Sequence, residues 1–133
     1  MKKILLIFLL SFFLLCGCSS KKGIILFNSQ PITRQNALQD QKTFGIGQKV
    51  YYLFIAPQKM ENEFIRVQVF KMTDKAAWGG YEVKRTKDYR LMKDERYYHT
   101  NYFVLHEKGR YILQVFAHDN FQHPLAYNDF YVK

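Results

Sequence analysis

Apolar and polar side chains alternate with period two along much of the chain, the mark of strands with one face on a core. In residues 64–72, Ile65, Val67 and Val69 fall on one side, and Arg66, Gln68 and Phe70 on the other. In residues 110–117, Tyr111, Leu113, Val115 and Ala117 share a face, which puts Phe116 on the outer one. Residues 48–56 are apolar on both faces, as in a central strand, and Pro57 closes the run. Shorter runs at 24–27, 81–86, 97–105 and 125–132 have the same character. The turns between them are marked by Gly45-Ile46-Gly47, Trp78-Gly79-Gly80, Glu107-Lys108-Gly109 and the polar segment 118–124. Residues 31–43 are polar and predict a long connection or a weak helix, and residues 84–96 predict a charged, solvated loop. About seven strands with no long helix predict an all-β fold, a single β-sandwich.

The spacing Glu107-x-Gly109-x-Tyr111 resembles the turn that precedes the F strand of immunoglobulin-like domains. The resemblance implies that the Tyr111 hydroxyl bonds back to nearby backbone, that Leu113 stands where those domains carry their second cysteine, and that residues 111–133 form the last hairpin. It implies no function. A lipocalin-like barrel is the structural alternative, but the strands are short and few for a barrel that holds a ligand.

The first residues have another pattern. Met1-Lys2-Lys3 precedes an apolar run, 4–15, broken only by Ser11. A positive head and about a dozen apolar residues match a secretory signal, whereas a spanning helix needs about 20. The run ends in Leu15-Cys16-Gly17-Cys18. This segment resembles the lipobox of bacterial lipoproteins, with Cys16 in a slot that more often holds Ala, Ser or Thr. The resemblance implies removal of residues 1–17, a diacylglycerol on the Cys18 sulfur and an N-acyl chain such as palmitate on its amino group. Each buried methylene contributes about 0.8 kcal/mol, so several chains hold a protein at a membrane where one would not. Residues 18–23 then form the lipidated cysteine and a short tether, and 24–133 the sandwich. Ser19 is not the Asp that favours inner-membrane retention in enteric bacteria, so the expected site is the cell envelope, at the outer membrane in a Gram-negative cell.

Composition narrows the chemistry. Cys16 and Cys18 are the only cysteines among the 133 residues, so neither a disulfide nor a thiolate metal site is available to the mature domain. The chain carries 20 Lys and Arg against 11 Asp and Glu, and it stays basic after Lys2 and Lys3 leave with the signal. Export argues against nucleic acid as the acidic partner, leaving lipid headgroups and glycans. There is no Gly-x-Ser-x-Gly elbow and no glycine-rich phosphate loop, so no catalytic residue and no cofactor beyond the lipid is expected.

The candidate contact residues follow. Tyr97 and Tyr98 are adjacent, so alternation turns one toward the less buried face, where a phenol suits protein or sugar contacts. Phe70 and Phe116 on outer faces would mark a partner surface if exposed together. Arg85, Lys87 and Arg90 lie in the basic stretch. His118, Asp119 and His123 form the weak metal candidate, with a spacing that fits no recognised motif; His99 and His106 are seven apart and face opposite ways on a continuous strand. The expected function is a non-catalytic envelope module that binds another protein. The alternatives are a glycan or peptidoglycan binder using Tyr platforms with Lys and Arg, and a metal-handling or hydrolytic lipoprotein.

Overall fold

The computed structural model describes residues 21–73 and 80–133. The signal segment, Cys18 and Trp78-Gly79 lie outside the described residues. Eight strands follow in chain order: β1 (Ile24–Asn28), β2 (Thr43–Phe44), β3 (Lys49–Ile55), β4 (Phe64–Met72), β5 (Tyr81–Arg90), β6 (Tyr98–Val104), β7 (Gly109–Ala117) and β8 (Ala126–Val132). One 3-10 turn, Lys93–Glu95, precedes β6. The strands form a three-stranded sheet in the order β1-β3-β6 and a five-stranded sheet in the order β2-β8-β7-β4-β5.

Alternation explains the layers. Tyr52, Phe54, Ile25 and Phe27 from the smaller sheet meet Ile65, Val69, Leu113, Val115 and Phe130 from the larger one, all nearly free of solvent. Phe130 lies at the centre of the aromatic packing, with ring centroids 4.8 Å from Phe27, 5.5 Å from Tyr111 and 5.7 Å from Phe103. The Tyr111 hydroxyl donates to the Glu107 carbonyl at 2.6 Å, and Leu113 is fully buried two residues on. The expected tyrosine corner is therefore present, and β7 and β8 form the last hairpin. Strand exchange between the sheets at this corner, with β2 running parallel to β8, gives the sandwich its immunoglobulin-like order. The two sheets are separate and do not close into a barrel.

The expected count of about seven strands holds, with the two-residue β2 as the eighth. Two expectations need correction. The charged stretch is not one loop: it continues β5 to Arg90. The strand forms because β4 supplies its hydrogen-bond partners on one side, while its position at the sheet edge keeps charged side chains in water. Phe116 lies on the outer face as expected but is buried, 6% exposed, under Phe121.

The long connection between β1 and β2 has no helix. It runs back along β1, where Asp40 accepts from the Phe27 N–H at 3.1 Å and the Gln41 N–H donates to the Phe27 carbonyl at 2.8 Å. That side of the sandwich is closed further by Asn128 Nδ2, which donates to the Ile25 carbonyl at 2.7 Å. On the opposite side, β5 pairs only with β4 and β6 only with β3 among the described residues, so both are edge strands.

Candidate functional site

Directly opposed residues of antiparallel strands point to one face, so the register defines the outer surface of the smaller sheet. Ile24, Ile55 and Tyr98 make one lateral row, Leu26, Leu53 and Thr100 the next, and Tyr51 opposes Tyr102 in a third. The face is almost free of charge. Ile24 (54% exposed), Tyr98 (43%) and Tyr102 (44%) stand in solvent, while Leu53 is covered by its neighbours and left out of the central core. The Tyr51 and Tyr102 rings lie 5.4 Å apart, and Lys49 Nζ, at the far margin, sits 4.8 Å from the Tyr102 centroid. No helix among the described residues covers this face.

The outer face of the larger sheet differs. A shallow concavity of about 400 Å³ is lined by Phe70, Tyr81, Ile112, Gln114, Pro124 and Tyr127. Around it the positions are polar and paired. Arg66 holds Asp88 with both guanidinium nitrogens at 2.8 and 3.1 Å, and Arg110 holds Asp129 at 2.7 Å. The Arg66 bonds are the main cause that keeps the Asp88 carboxyl below the usual range, and the Arg110 bonds do the same for Asp129.

The sequence candidates separate into several places. Tyr98 opens β6 on the outer face, and Tyr97, 58% exposed, lies just before it. Phe70 opposes Ile112 while Phe116 opposes Arg66, so the two phenylalanines sit four residues apart along β4 and make no joint surface. Arg85 and Lys87 oppose Val69 and Val67, so they point toward the core side at the open edge, where Tyr52, Tyr89, Tyr102 and Phe103 line a narrow cleft. Inward charge on an exposed edge strand, together with the register shift at Val69/Phe70, hinders pairing with another strand. Arg90 turns to the other face, and its Nε lies 3.3 Å from Glu63. The cations therefore do not form one patch.

His118 Nε2 lies 3.1 Å from Asp88 Oδ2, off hydrogen-bond alignment. His123 is exposed, and its N–H donates to Asn120. Among the described residues no three His, Cys, Asp or Glu side chains come together to hold a metal ion, so His118, Asp119 and His123 form no such group. His99 is the only deeply buried histidine among the described residues. Its Nε2 is 3.1 Å from the Tyr52 hydroxyl, its Nδ1 has no hydrogen-bond partner, and Glu95 is 4.0 Å away. Burial holds its pKa down to about 4, so the imidazole is neutral at pH 7, and burial raises the Tyr52 phenol. The pair is an internal hydrogen bond of the core, remote from both outer faces.

Tyr51 and Tyr102 stand out in the sequence among the clustered tyrosines, but sequence reasoning did not place Leu26 and Leu53 on the same outer face with them. The available signal was the strand apolar on both faces, in a sequence whose sandwich region predicts no long helix to cover it.

No family model matches the chain, and no curated protein matches it. Among solved structures, it is similar to an immunoglobulin-like protein from Pseudomonas aeruginosa, with 15% identity over 88% of this chain and 100% of that one, at a TM-score of 0.46. It is also similar to part of a β-glucosidase from Listeria innocua, with 15% identity over 87% of this chain and 16% of the enzyme, at a TM-score of 0.43. A β-glucosidase from Kluyveromyces marxianus gives 14% identity, 88% and 14% coverage and a TM-score of 0.41. The immunoglobulin-like assignment rests on the strand order and the Tyr111–Glu107 bond, which are properties of this chain.

Proposed function

We propose that this is a lipid-anchored cell-envelope protein whose β-sandwich is a non-catalytic binding module for another envelope protein. Cys18 would carry the diacylglycerol and N-acyl chain, and residues 18–23 would tether the domain. The observation that carries the binding role is the uncharged outer face of the β1-β3-β6 sheet. An uncovered apolar face with Tyr51, Tyr98 and Tyr102 around it has the make-up of a protein-contact surface: aromatic area at the centre and little charge. Tyrosine adds a hydroxyl to apolar area and loses little side-chain entropy on binding.

The test is crosslinking in the native envelope from a photoreactive group at Tyr102, with a second group at Thr86 on the other sheet as reference. One discrete adduct from Tyr102, absent from Thr86 and lost in the Tyr51→Ser, Tyr98→Ser variant, is the expected result. Equal or absent adducts at the two positions would refute the assignment of this face.

A glycan-binding role has separate support in the concavity on the larger sheet. Tyr81 and Tyr127 supply aromatic faces there, and Gln114 an amide that can both donate and accept. Retention on immobilised peptidoglycan, lost in Tyr127→Ala and kept in Tyr51→Ser, would favour that role over protein binding.

A further inference from the structure

The described chain enters at one end of the sandwich, and the loops at that end are joined to it. The Gly23 N–H donates to the Leu125 carbonyl at 2.7 Å, at the close of the β7–β8 loop. Ile24 pairs with Ile55, whose next residue, Ala56, donates to the Tyr97 carbonyl at 2.8 Å. The Met60 N–H donates to the Arg96 carbonyl at 2.8 Å. The tether, the β3–β4 loop, the β5–β6 connection and the β7–β8 loop therefore make one continuous end surface. Two large apolar side chains stand out from it: Met92 (63% exposed) and Tyr97 (58%).

We infer that this end of the domain rests in the headgroup region of a phospholipid membrane, with Met92 and Tyr97 as its contacts. The inference rests on the proposed lipid at Cys18. Cys18 precedes Lys21 by three residues, and three extended residues reach about 11 Å at most. With acyl chains on Cys18 in the bilayer, the end surface cannot move far from it. Exposed apolar side chains also occur at the far end, at Leu38 and Ile46. The short tether, not apolarity alone, selects the near end. Tyrosine is enriched at membrane interfaces because its ring is apolar and its hydroxyl stays wet, and a flexible methionine fits among lipid chains at low cost.

Charge at this end is nearly balanced: Lys21, Lys22, Lys59, Lys93 and Arg96 stand against Glu61, Asp94, Glu95 and Asp119. Contact with the bilayer is therefore set by the anchor and the apolar side chains, and it does not require anionic lipid. The orientation has a consequence for the partner face. The row Ile24, Ile55 and Tyr98 lies at the membrane end of the smaller sheet, and Tyr51 and Tyr102 lie farther out along the same strands. A protein bound to this face would contact it from the membrane surface outward.

The test uses the full lipidated protein in phosphatidylcholine vesicles. Cys16 leaves with the signal and the Cys18 sulfur is acylated, so a single introduced cysteine takes a nitroxide label without competition. Labels are placed in turn at Met92→Cys and Tyr97→Cys, with Lys108→Cys beyond β6 at the far end as the reference. Collision rates with a water-soluble nickel chelate and with oxygen report depth. The expected result is a several-fold lower nickel accessibility at positions 92 and 97 than at 108, unchanged when phosphatidylglycerol is added. Equal nickel accessibility at all three positions, with mass spectrometry showing lipid on Cys18, overturns the docking and leaves the anchor standing. A mature protein without that lipid mass overturns the anchor and the docking with it.

Discussion

The two outer faces of this sandwich are built from strands of the same kind, yet they solve solvent exposure differently. On the larger sheet, outward polar positions are largely paired, Arg66 with Asp88, Gln68 with Thr86 and Arg110 with Asp129, and they alternate with the apolar Phe70, Ile112 and Phe116. On the smaller sheet, the equivalent positions hold Leu26, Leu53, Ile55, Tyr51 and Tyr98, and no ion pair crosses the face among the described residues. An antiparallel sheet facing water on one side ordinarily keeps that side polar. The larger sheet follows this rule where its ion pairs lie, and Phe70, Ile112, Tyr81 and Tyr127 form an apolar hollow between them. The smaller sheet departs from it, and departures of that kind are found where another surface completes the structure. The inner faces do not differ in this way, since both are packed to the same aromatic core around Phe130.

The comparison can be broken most directly at Leu53. It points outward but is 8% exposed, wedged among its neighbours. Leu53→Asp places an unpaired carboxylate in that apolar setting and should destabilise the fold by about 3 kcal/mol in urea unfolding. The matched change on the other face, Gln114→Asp, should stay within about 0.5 kcal/mol. Similar losses for the two would mean that the faces do not differ in kind.

The next effect separates the faces from the core between them. His99 has a folded-state pKa of about 4, below its unfolded value near 6.5, because burial disfavours the cation. The unfolded chain thus binds the proton more readily between these values. Stability is fully present above pH 6.5 and falls as the pH drops toward 4, by about 3 kcal/mol in all from this group. Melting temperatures across that range should show the fall in the wild type and a much smaller one in His99→Gln. An undiminished fall in the variant would assign the acid sensitivity to other groups.

A smaller effect is expected at the corner that joins the two sheets. Tyr111→Phe removes the hydroxyl that donates to the Glu107 carbonyl and should cost about 1 kcal/mol in urea unfolding. Unchanged stability would show that ring packing against Phe130 alone holds the corner.

Strand positions were legible in the sequence wherever one face was buried and the other polar. Residues 64–72 and 110–117 show this, because a period of two has only one way to meet a core. The tyrosine corner was legible from three residues, since its geometry is local. The strand character of residues 87–90 was hidden by its charges. An edge strand needs hydrogen bonds from only one neighbour and tolerates charge on both faces, so the usual alternation is missing. The candidate contact residues were legible only in part. Tyr98 was found from its adjacency to Tyr97, whereas the grouping of Phe70 with Phe116 failed because both pointed outward but at different heights along the sheet.

By itself, the sequence determined the class of fold, the inward-facing core residues, the corner at Tyr111 and the expectation of a lipid on Cys18, because each depends on near neighbours along the chain. Only the tertiary structure decided that Ile24, Ile55 and Tyr98 meet in one row, that Phe121 covers Phe116, and that the basic stretch is divided between two faces. Those facts depend on register between strands far apart in the chain, and a one-residue slip in register would turn each of those side chains to the other face.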